Sequence, residues 1–284
     1  KAIVCTYTTT PKTATLQNSK AWGANSITGN VASLGASTGG ANNTAAFTAT
    51  APTGANSGAA VAVVAGNTIT FPAETMPTGT LANYNTVLAC TAGGGATANA
   101  LSGTNGQVTN TLLIGPADAG KAILCTYTNT PKTATLQLTK SWGAGAISGN
   151  VASIGASTGG ASNTTAFTAT APTAGNSSTV NVVAGNTITL PAETMPTGSL
   201  ASYNTVLSCT AGGGATANAL SGTNGQNSNT LLIGATDAGK AIVCTYTNTG
   251  KPATLTLAKR SLGGVAGFDF TGTNGVAAHT ITTT

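Results

Sequence analysis

Several short stretches of the chain alternate apolar and polar residues, which is the pattern of a β-strand with one buried face. From Leu136 to Trp142, one face carries the apolar residues Leu136, Leu138 and Trp142, and Lys140 falls on that same face. Clusters of Gly, Ser, Asn and Thr separate such stretches and indicate turns. No stretch has the period of an amphipathic helix, so the pattern predicts an all-β, Ig-like sandwich. Besides an opening strand over residues 13–22, the strands predicted in the first half are Thr44–Thr50, Ala59–Val64, Thr68–Phe71, Thr86–Cys90, Thr109–Ile114 and Lys121–Thr128.

The strand pattern occurs twice in full, because the sequence repeats with a period of about 120 residues. The segment from Lys121 to Gly143 has counterparts that begin at Lys1 and at Lys240. It reads as the closing strand of one domain, a short Pro-Lys hinge and the opening strand of the next. The sequence therefore predicts β-sandwich repeats at 11–130 and 131–250, preceded by the closing strand of an incomplete domain (1–10) and followed by the opening strands of another (251–284). In this last segment, strands are predicted at Gly267–Thr271 and Ala278–Thr283.

The two incomplete ends complement each other. One carries a closing strand without a domain, and the other carries a domain without a closing strand. An open strand edge pairs readily with a strand from another chain, and head-to-tail pairing builds an open filament. The partners expected from this pattern are copies of the chain itself. The alternative is that the chain is one part of a longer polypeptide and that its partners are flanking repeats.

The composition excludes several classes of protein. Only 5% of the residues are charged, against about 25% in typical soluble domains. The net charge of +5 is spread along the chain without a basic run, and Arg260 is the only arginine, so nucleic-acid binding is not expected. No apolar run has the ~18 residues that span a membrane. One histidine and five acids are too few for an enzyme site, and neither a metal nor a cofactor is expected.

The cysteines indicate an oxidising compartment. Cys90 and Cys125 are separated by the same number of residues as Cys209 and Cys244, so each full repeat carries one pair. One disulfide per repeat is the functional interpretation, and buried free thiols are the alternative. Cys5 corresponds to Cys125 and Cys244 but nothing precedes it that could pair with it, so its partner is expected upstream or in a neighbouring subunit.

A lysine, a glutamate and an asparagine recur in the same order in both repeats. Lys140 lies on the inward face of the opening strand, and Asn248 lies on the inward face of the closing strand with Cys244 and Tyr246. A buried lysine without a partner is costly and shifts toward its neutral form. The candidate residues are Lys20, Glu74 and Asn129 in the first repeat and Lys140, Glu193 and Asn248 in the second.

These motifs resemble those of the prealbumin-like domains of bacterial surface proteins and pili, of the SpaA or collagen-adhesin B type. The shared motifs are L-x-L-x-K in the opening strand, E-x-x-P-x-G followed by Tyr84 or Tyr203, and Y-x-N-T in the closing strand. The resemblance covers both repeats. It implies a spontaneous isopeptide bond between Lys20 and Asn129 and another between Lys140 and Asn248, with Glu74 and Glu193 relaying protons.

Two alternatives are open for each set. One is a buried Lys–Glu ion pair with the asparagine hydrogen-bonded nearby, and the other is that the residues are exposed and unrelated to one another. Two positions depart from the motif. The strand at 1–10 has Thr9 where the repeats have Asn129 and Asn248, so the domain that it closes should lack the bond. In the first opening strand Asn18 replaces Leu138.

Together these features predict a non-enzymatic structural subunit or segment of an extracellular bacterial surface fibre. It would be built from tandem β-sandwich repeats, stabilised by disulfides and Lys–Asn bonds, and joined head to tail by strand donation or by continuation of the chain. The alternative function is an adhesin stalk or module that binds host surfaces or glycans.

Overall fold

The structure is a computed structural model that describes residues 1–53, 56–99, 101–216, 218, 220–260, 262–273 and 276–283. It divides into two compact units, Lys1–Gly250 and Lys251–Thr284. The first unit contains both full repeats, here called repeat 1 and repeat 2. The described secondary structure is almost entirely β-strand, which confirms the predicted fold class.

Repeat 1 consists of short strands joined by turns, with 3₁₀ helices at Leu81–Asn83 and Pro116–Asp118. The strands are β1 (Thr13–Trp22), β2 (Val31–Leu34), β3 (Phe47–Thr50), β4 (Asn56–Ser57), β5 (Val61–Val64), β6 (Thr68–Phe71), β7 (Thr75–Thr78), β8 (Tyr84–Ala92), β9 (Gly95–Ala96), β10 (Asn110–Leu113) and β11 (Ala122–Pro131). The strands predicted from the alternating pattern are present, and their bounds differ from the expected ones by three residues at most. The short strands β2, β4, β7 and β9 were not predicted.

The main sheet of repeat 1 places its first and last long strands side by side. Its order is β4-β1-β11-β8-β9. Strands β4 and β5 both pair with the outer edge of β1, β5 along its first half and β4 along its second half. Strands β1 and β11 are parallel, whereas β11 and β8 are antiparallel. Two small sheets, β3-β2-β7 and β6-β10, complete the domain. The first and last strands therefore share a long hydrogen-bonded ladder although they lie far apart in sequence.

Repeat 2 has the same topology, with β12 (Thr133–Trp142) and β22 (Ala241–Gly250) as the parallel central pair. Its 3₁₀ helices are Leu200–Ser202 and Ala235–Asp237. Its strands are β12 (Thr133–Trp142), β13 (Val151–Ile154), β14 (Phe167–Thr170), β15 (Gly175–Asn176), β16 (Val180–Val183), β17 (Thr187–Leu190), β18 (Glu193–Thr197), β19 (Tyr203–Ala211), β20 (Gly214–Ala215), β21 (Asn229–Leu232) and β22 (Ala241–Gly250).

Each repeat has its own hydrophobic core beneath the inward face of its main sheet. Alternate residues of the long strands point into it, as the period of two requires. Asn18 is buried at the position where repeat 2 has Leu138, and its amide donates to the hydroxyl of Thr44 over 2.8 Å. The core of repeat 1 includes Leu16, Leu34, Ile69, Phe71, Leu88, Leu112, Ile123 and Tyr127.

A single residue, Lys132, connects strand β11 to strand β12. Its backbone N–H donates to the carbonyl of Asn83 in repeat 1, and its own carbonyl accepts from Ala184 in repeat 2. A Cβ atom built on Gly185 would lie 2.5 Å from Cδ1 of Ile27, so this turn of repeat 2 is in close contact with repeat 1. The segment predicted as a hinge is therefore fixed by hydrogen bonds on both sides.

The closing strand predicted at 1–10 is not formed. Residues 1–12 are exposed and form no strand, and among them the carbonyl of Lys12 accepts a hydrogen bond from Ala65, next to the start of β1. The physical reason is the lack of partners, because the equivalent strand β11 is held by β1 and β8 of its own domain. In the second unit, residues 251–260 likewise form no strand. The two further strands expected in this segment pair as a hairpin, β23 (Gly267–Phe270) with β24 (His279–Thr282).

Candidate functional site

The structure brings the predicted lysine, glutamate and asparagine of each repeat together in its interior. Lys20 lies on β1 and Asn129 lies on the neighbouring strand β11. The register pairs Lys20 with Tyr127 and Trp22 with Asn129, so Lys20 and Asn129 are diagonal neighbours on the inward face. Glu74 reaches them from the chain between β6 and β7. Two adjacent strands and one connecting segment thus bring the three side chains together in the interior of the repeat.

The glutamate carboxylate lies between the amine and the carboxamide. In repeat 1, Oε1 of Glu74 is 3.1 Å from Nζ of Lys20 and accepts a hydrogen bond of 2.7 Å from Nδ2 of Asn129. All three residues are at most 2% exposed. One carboxylate oxygen therefore contacts both nitrogen atoms.

Repeat 2 reproduces this geometry with its own residues. Oε1 of Glu193 is 3.3 Å from Nζ of Lys140 and accepts a hydrogen bond of 2.7 Å from Nδ2 of Asn248. The Lys140 amine also donates to the carbonyl of Ser141 at 3.1 Å and to that of Tyr246 at 3.4 Å. The same arrangement is therefore present in both copies of the repeated sequence.

Burial shifts both charged partners toward their neutral forms. Desolvation lowers the pKa of Lys20 and of Lys140 to about 8, against the partial opposition of the nearby carboxylate. Desolvation likewise raises the pKa of Glu74 and of Glu193, against the opposing effect of the lysine and the asparagine amide. The two shifts together favour transfer of the lysine proton to the carboxylate inside the site.

An aromatic ring covers each lysine amine. Nζ of Lys20 is 4.6 Å from the centre of the Trp22 ring, and Nζ of Lys140 is 4.4 Å from that of Trp142. Each tryptophan packs in turn against a buried tyrosine, Tyr84 or Tyr203, at 5.7 Å. The sequence placed Lys140 and Trp142 on one face but did not assign the tryptophan to the site. The spacing of two residues along a strand was the available signal.

Some polar atoms of the site have no hydrogen-bond partner among the described residues. They are Oε2 of each glutamate, Oδ1 of each asparagine, Nε1 of Trp22 and of Trp142 and, in repeat 1 alone, the Lys20 amine, which is instead held in its ion pair with Glu74. Buried polar atoms are normally paired, and an unpaired one destabilises the folded state. The close approach of these side chains therefore has a cost in folding free energy.

A disulfide lies in the same sheet in each repeat. Cys90 is bonded to Cys125, and Cys209 is bonded to Cys244. The two cysteines of each pair face each other across adjacent antiparallel strands, as in the register pair of β8 and β11. The predicted disulfides are therefore present in place of free thiols. Cys5 is exposed and is the one cysteine of the described chain outside a disulfide.

Other chemically distinctive residues have structural positions. Asp118 is buried and accepts hydrogen bonds from the backbone N–H groups of Ala98 and Gly115, which fixes the turn before β11. His279 lies exposed on β24. Within the described residues, no three His, Cys, Asp or Glu side chains gather as metal ligands would. The same residues contain no helix with the length and hydrophobicity needed to cross a membrane.

A protein-family profile described as a prealbumin-like fold domain matches residues 9–131 and 147–250. Among solved structures, a major pilin of Streptococcus pyogenes is 9% identical over 86% of this chain and 98% of the pilin, with a TM-score of 0.39.

An adhesin of Mobiluncus mulieris with intramolecular disulfide, isopeptide and ester cross-links is 12% identical over 80% of this chain and 88% of its own, with a TM-score of 0.29. A C-terminal fragment of a pilus adhesin from Lactobacillus rhamnosus GG is 11% identical over 85% of this chain and 100% of the fragment, with a TM-score of 0.31. No curated protein sequence matches the chain.

Proposed function

Because the chain belongs to the prealbumin-like fold domain family, we propose that it is a structural subunit or segment of an extracellular bacterial surface fibre. One observation carries this proposal. Both repeats hold a buried lysine and asparagine on their first and last long strands, with a glutamate oxygen in contact with both. A cross-link at this position would tie together the two strands through which tension enters and leaves each repeat. The role is mechanical and involves no turnover of a substrate.

The arrangement supports formation of an isopeptide bond. The lysine proton moves to the glutamate, and the neutral amine attacks Cγ of the asparagine. The Nζ–Cγ bond forms and the Cγ–Nδ2 bond breaks. The glutamate, acting as acid and base, gives this lysine proton to Nδ2 and takes the second proton from Nζ, so that Nδ2 leaves as ammonia. The proton left on the glutamate departs with the ammonia as ammonium, which restores the carboxylate without an oxidant or a cofactor.

The cross-link would carry load because of the direction of the strands. In repeat 1 the chain enters β1 at Thr13, next to the start of β11, and leaves β11 at Pro131, near the opposite end of the ladder. Tension therefore shears the parallel pair along its length. With a bond from Lys20 to Asn129, the force would pass through that bond and bypass residues 21–128. The disulfide between Cys90 and Cys125 adds a second constraint within the bypassed segment.

We further propose that copies are joined by strand donation, in which residues 1–10 of one copy complete the 251–284 segment of another. Ile3 is 90% exposed and Tyr7 is 95% exposed. Their counterparts in repeat 1, Ile123 and Tyr127, are each 1% exposed. Burying two such side chains stabilises an assembly by about 1.5–3 kcal/mol each. A neighbouring copy offers exposed apolar residues of its own, including Leu255.

The intact mass of the denatured, reduced chain tests the cross-links. Each Lys–Asn bond removes one ammonia, about 17 Da, so two bonds should remove about twice that mass. The double variant Glu74→Gln, Glu193→Gln should have the full calculated mass. The matched control Asp118→Asn removes a buried carboxylate that contacts no lysine, and it should keep both bonds. A wild-type chain of full calculated mass would show that the sites are ion pairs only.

Deletion of residues 1–10 tests strand donation independently of the cross-links. The shortened chain should sediment as a monomer and keep the mass deficit of the two bonds. The wild-type chain should form polymers whose length grows with concentration. Polymers of equal length from both chains would contradict strand donation and leave the cross-link proposal intact.

A further inference from the structure

The inference concerns the register of the joint between copies, and it rests on the strand donation proposed above. We propose that residues 2–8 of one copy pair in parallel with residues 254–260 of the next. The register is the one that closes repeats 1 and 2, so Ile3 lies opposite Leu255 and Tyr7 lies opposite Lys259. The partner is a second copy of this chain.

The two complete repeats close with the same register. In repeat 1, Leu16 is paired with Ile123 and Lys20 with Tyr127. In repeat 2, the same positions pair Leu136 with Ile242 and Lys140 with Tyr246. The sequences at 2–8 and 254–260 match these strands without a gap, which places Ile3 and Tyr7 on the donated strand and Leu255 and Lys259 on the acceptor. One register is thus common to all three pairs of strands.

The exposed apolar side chains of the two segments lie on one face in this register, and a shift by an odd number of residues would separate them. Ile3 and Tyr7 share a face of the donated segment, and Leu255 and Leu257 share a face of the acceptor. Leu255 is 73% exposed and Leu257 is 48% exposed, whereas the matching positions Leu136 and Leu138 are fully buried. A slip of one residue would turn the apolar residues of the donated strand to the solvent face. A slip of two would separate Tyr7 from Lys259.

The surroundings of Lys259 identify the inward face of the acceptor. Its Nζ lies 4.4 Å from the centre of the Phe268 ring on β23. Lys20 and Lys140 lie over Trp22 and Trp142 at similar distances. The second unit therefore carries the lysine and its aromatic cover, although a different residue supplies the ring.

The joint has no asparagine to react with this lysine, because Thr9 occupies the position of Asn129. No isopeptide bond forms there. In repeat 2 the Lys140 amine donates to the carbonyl of Tyr246, and the carbonyl of Tyr7 would take that role for Lys259. Copies are thus held by a non-covalent joint between covalently locked repeats.

Engineered disulfides at outward-facing positions can test the proposed register between residues 2–8 and 254–260. Thr6 and Ala258 correspond to Thr245 and Thr139 of repeat 2, whose hydroxyl oxygens lie 2.9 Å apart on adjacent strands. Paired residues on neighbouring strands are about 5 Å apart, within reach of a disulfide. A shift of two residues increases the Cα separation to about 8 Å, which is beyond that reach.

The test variant is Thr6→Cys with Ala258→Cys, and the matched control is Val4→Cys with Ala258→Cys. Both carry Cys5→Ala so that only the engineered pair can react. After mild oxidation, the test variant should give a ladder of covalent multimers on a non-reducing gel, and the control should give at least tenfold less. Sedimentation of the same samples before oxidation measures polymer formation separately.

The possible outcomes distinguish the register from strand donation itself. A ladder from the test variant alone supports the proposed register. Polymers that are cross-linked in the control, or in neither variant, overturn the register while strand donation stands. Samples that contain no polymers overturn strand donation. A disulfide-closed monomer from the test variant shows pairing within one chain and overturns the joint between copies.

Discussion

Replacing the two site glutamates should convert inextensible repeats into extensible ones. We expect the double variant Glu74→Gln, Glu193→Gln to unfold in discrete steps when a single molecule is pulled from its ends. The wild-type chain should show no such step from either repeat. The reason is that Lys20 and Asn129 lie on adjacent strands, so a bond between them would remove residues 21–128 from the path of the force.

The step length follows from the positions of the cross-links. Without the isopeptide bond, the path from Lys20 to Asn129 spans roughly 110 residues, or about 370 Å when fully extended. The disulfide removes the 35-residue separation between Cys90 and Cys125 from that path. The step should therefore be about 250 Å in the oxidised variant and longer by about 120 Å after reduction. Repeat 2 has a disulfide of the same separation and should give the same values.

Single-molecule force spectroscopy with and without reductant measures these lengths. The Asp118→Asn chain is the control, because it loses a buried carboxylate but keeps both proposed sites intact. Steps of about 370 Å from the reduced wild-type chain would refute the cross-link. A glutamate variant without steps would refute the role of the carboxylate in forming it.

Three further predictions concern stability and pH. In a Glu193→Gln background, the double substitution Cys209→Ser and Cys244→Ser removes the disulfide that closes a loop of 35 residues. The free energy of unfolding measured in urea should then fall by about 4 kcal/mol. An unchanged urea midpoint would contradict this prediction. Burial lowers the pKa of Lys140 to about 8 and raises that of Glu193, and the reaction needs one proton shared by the pair. The rate of ammonia loss in freshly translated chains, followed by mass, should therefore fall above about pH 8, where Lys140 loses the proton that the pair shares. The rate should also fall below the raised pKa of Glu193, where both groups are protonated. A flat pH profile would exclude this proton relay. Gly185 and Gly66 have φ of +95° and +96°, but only a Cβ on Gly185 would meet Ile27 and Asn83. Gly185→Ala should thus destabilise by about 1–3 kcal/mol more than Gly66→Ala in calorimetry, and equal effects would argue against a tight junction.

The alternating pattern was sufficient to predict the long strands of each repeat but not the short ones. Strand β12 was predictable because, apart from Lys140, its inward residues are apolar and its outward residues are polar over ten positions. Strand β2 has four residues, too few to establish a period. Strand β7 is equally short and contains Pro77, which argues against a strand because proline cannot donate to a ladder.

The site residues were recognisable from their order, whereas their geometry was not. The spacing of Lys140, Glu193 and Asn248 gave no indication that their strands are parallel neighbours, since that pairing depends on packing of the whole domain. The contact of Trp142 with the lysine amine follows from side-chain positions that a sequence does not contain. Residues 1–10 were predicted as a strand that the structure does not contain. Their pattern is that of a strand, but the described chain has no partner strands for them.

The one-residue connection at Lys132 bears on how such a protein lengthens during evolution. Its backbone N–H completes one domain and its carbonyl completes the next. A duplicated stretch of gene that starts and ends at this residue would carry both halves of the junction with it. New units could then be added without selecting a new interface for each one. The near-identical segments that begin at Lys121 and Lys240 are what such duplication produces.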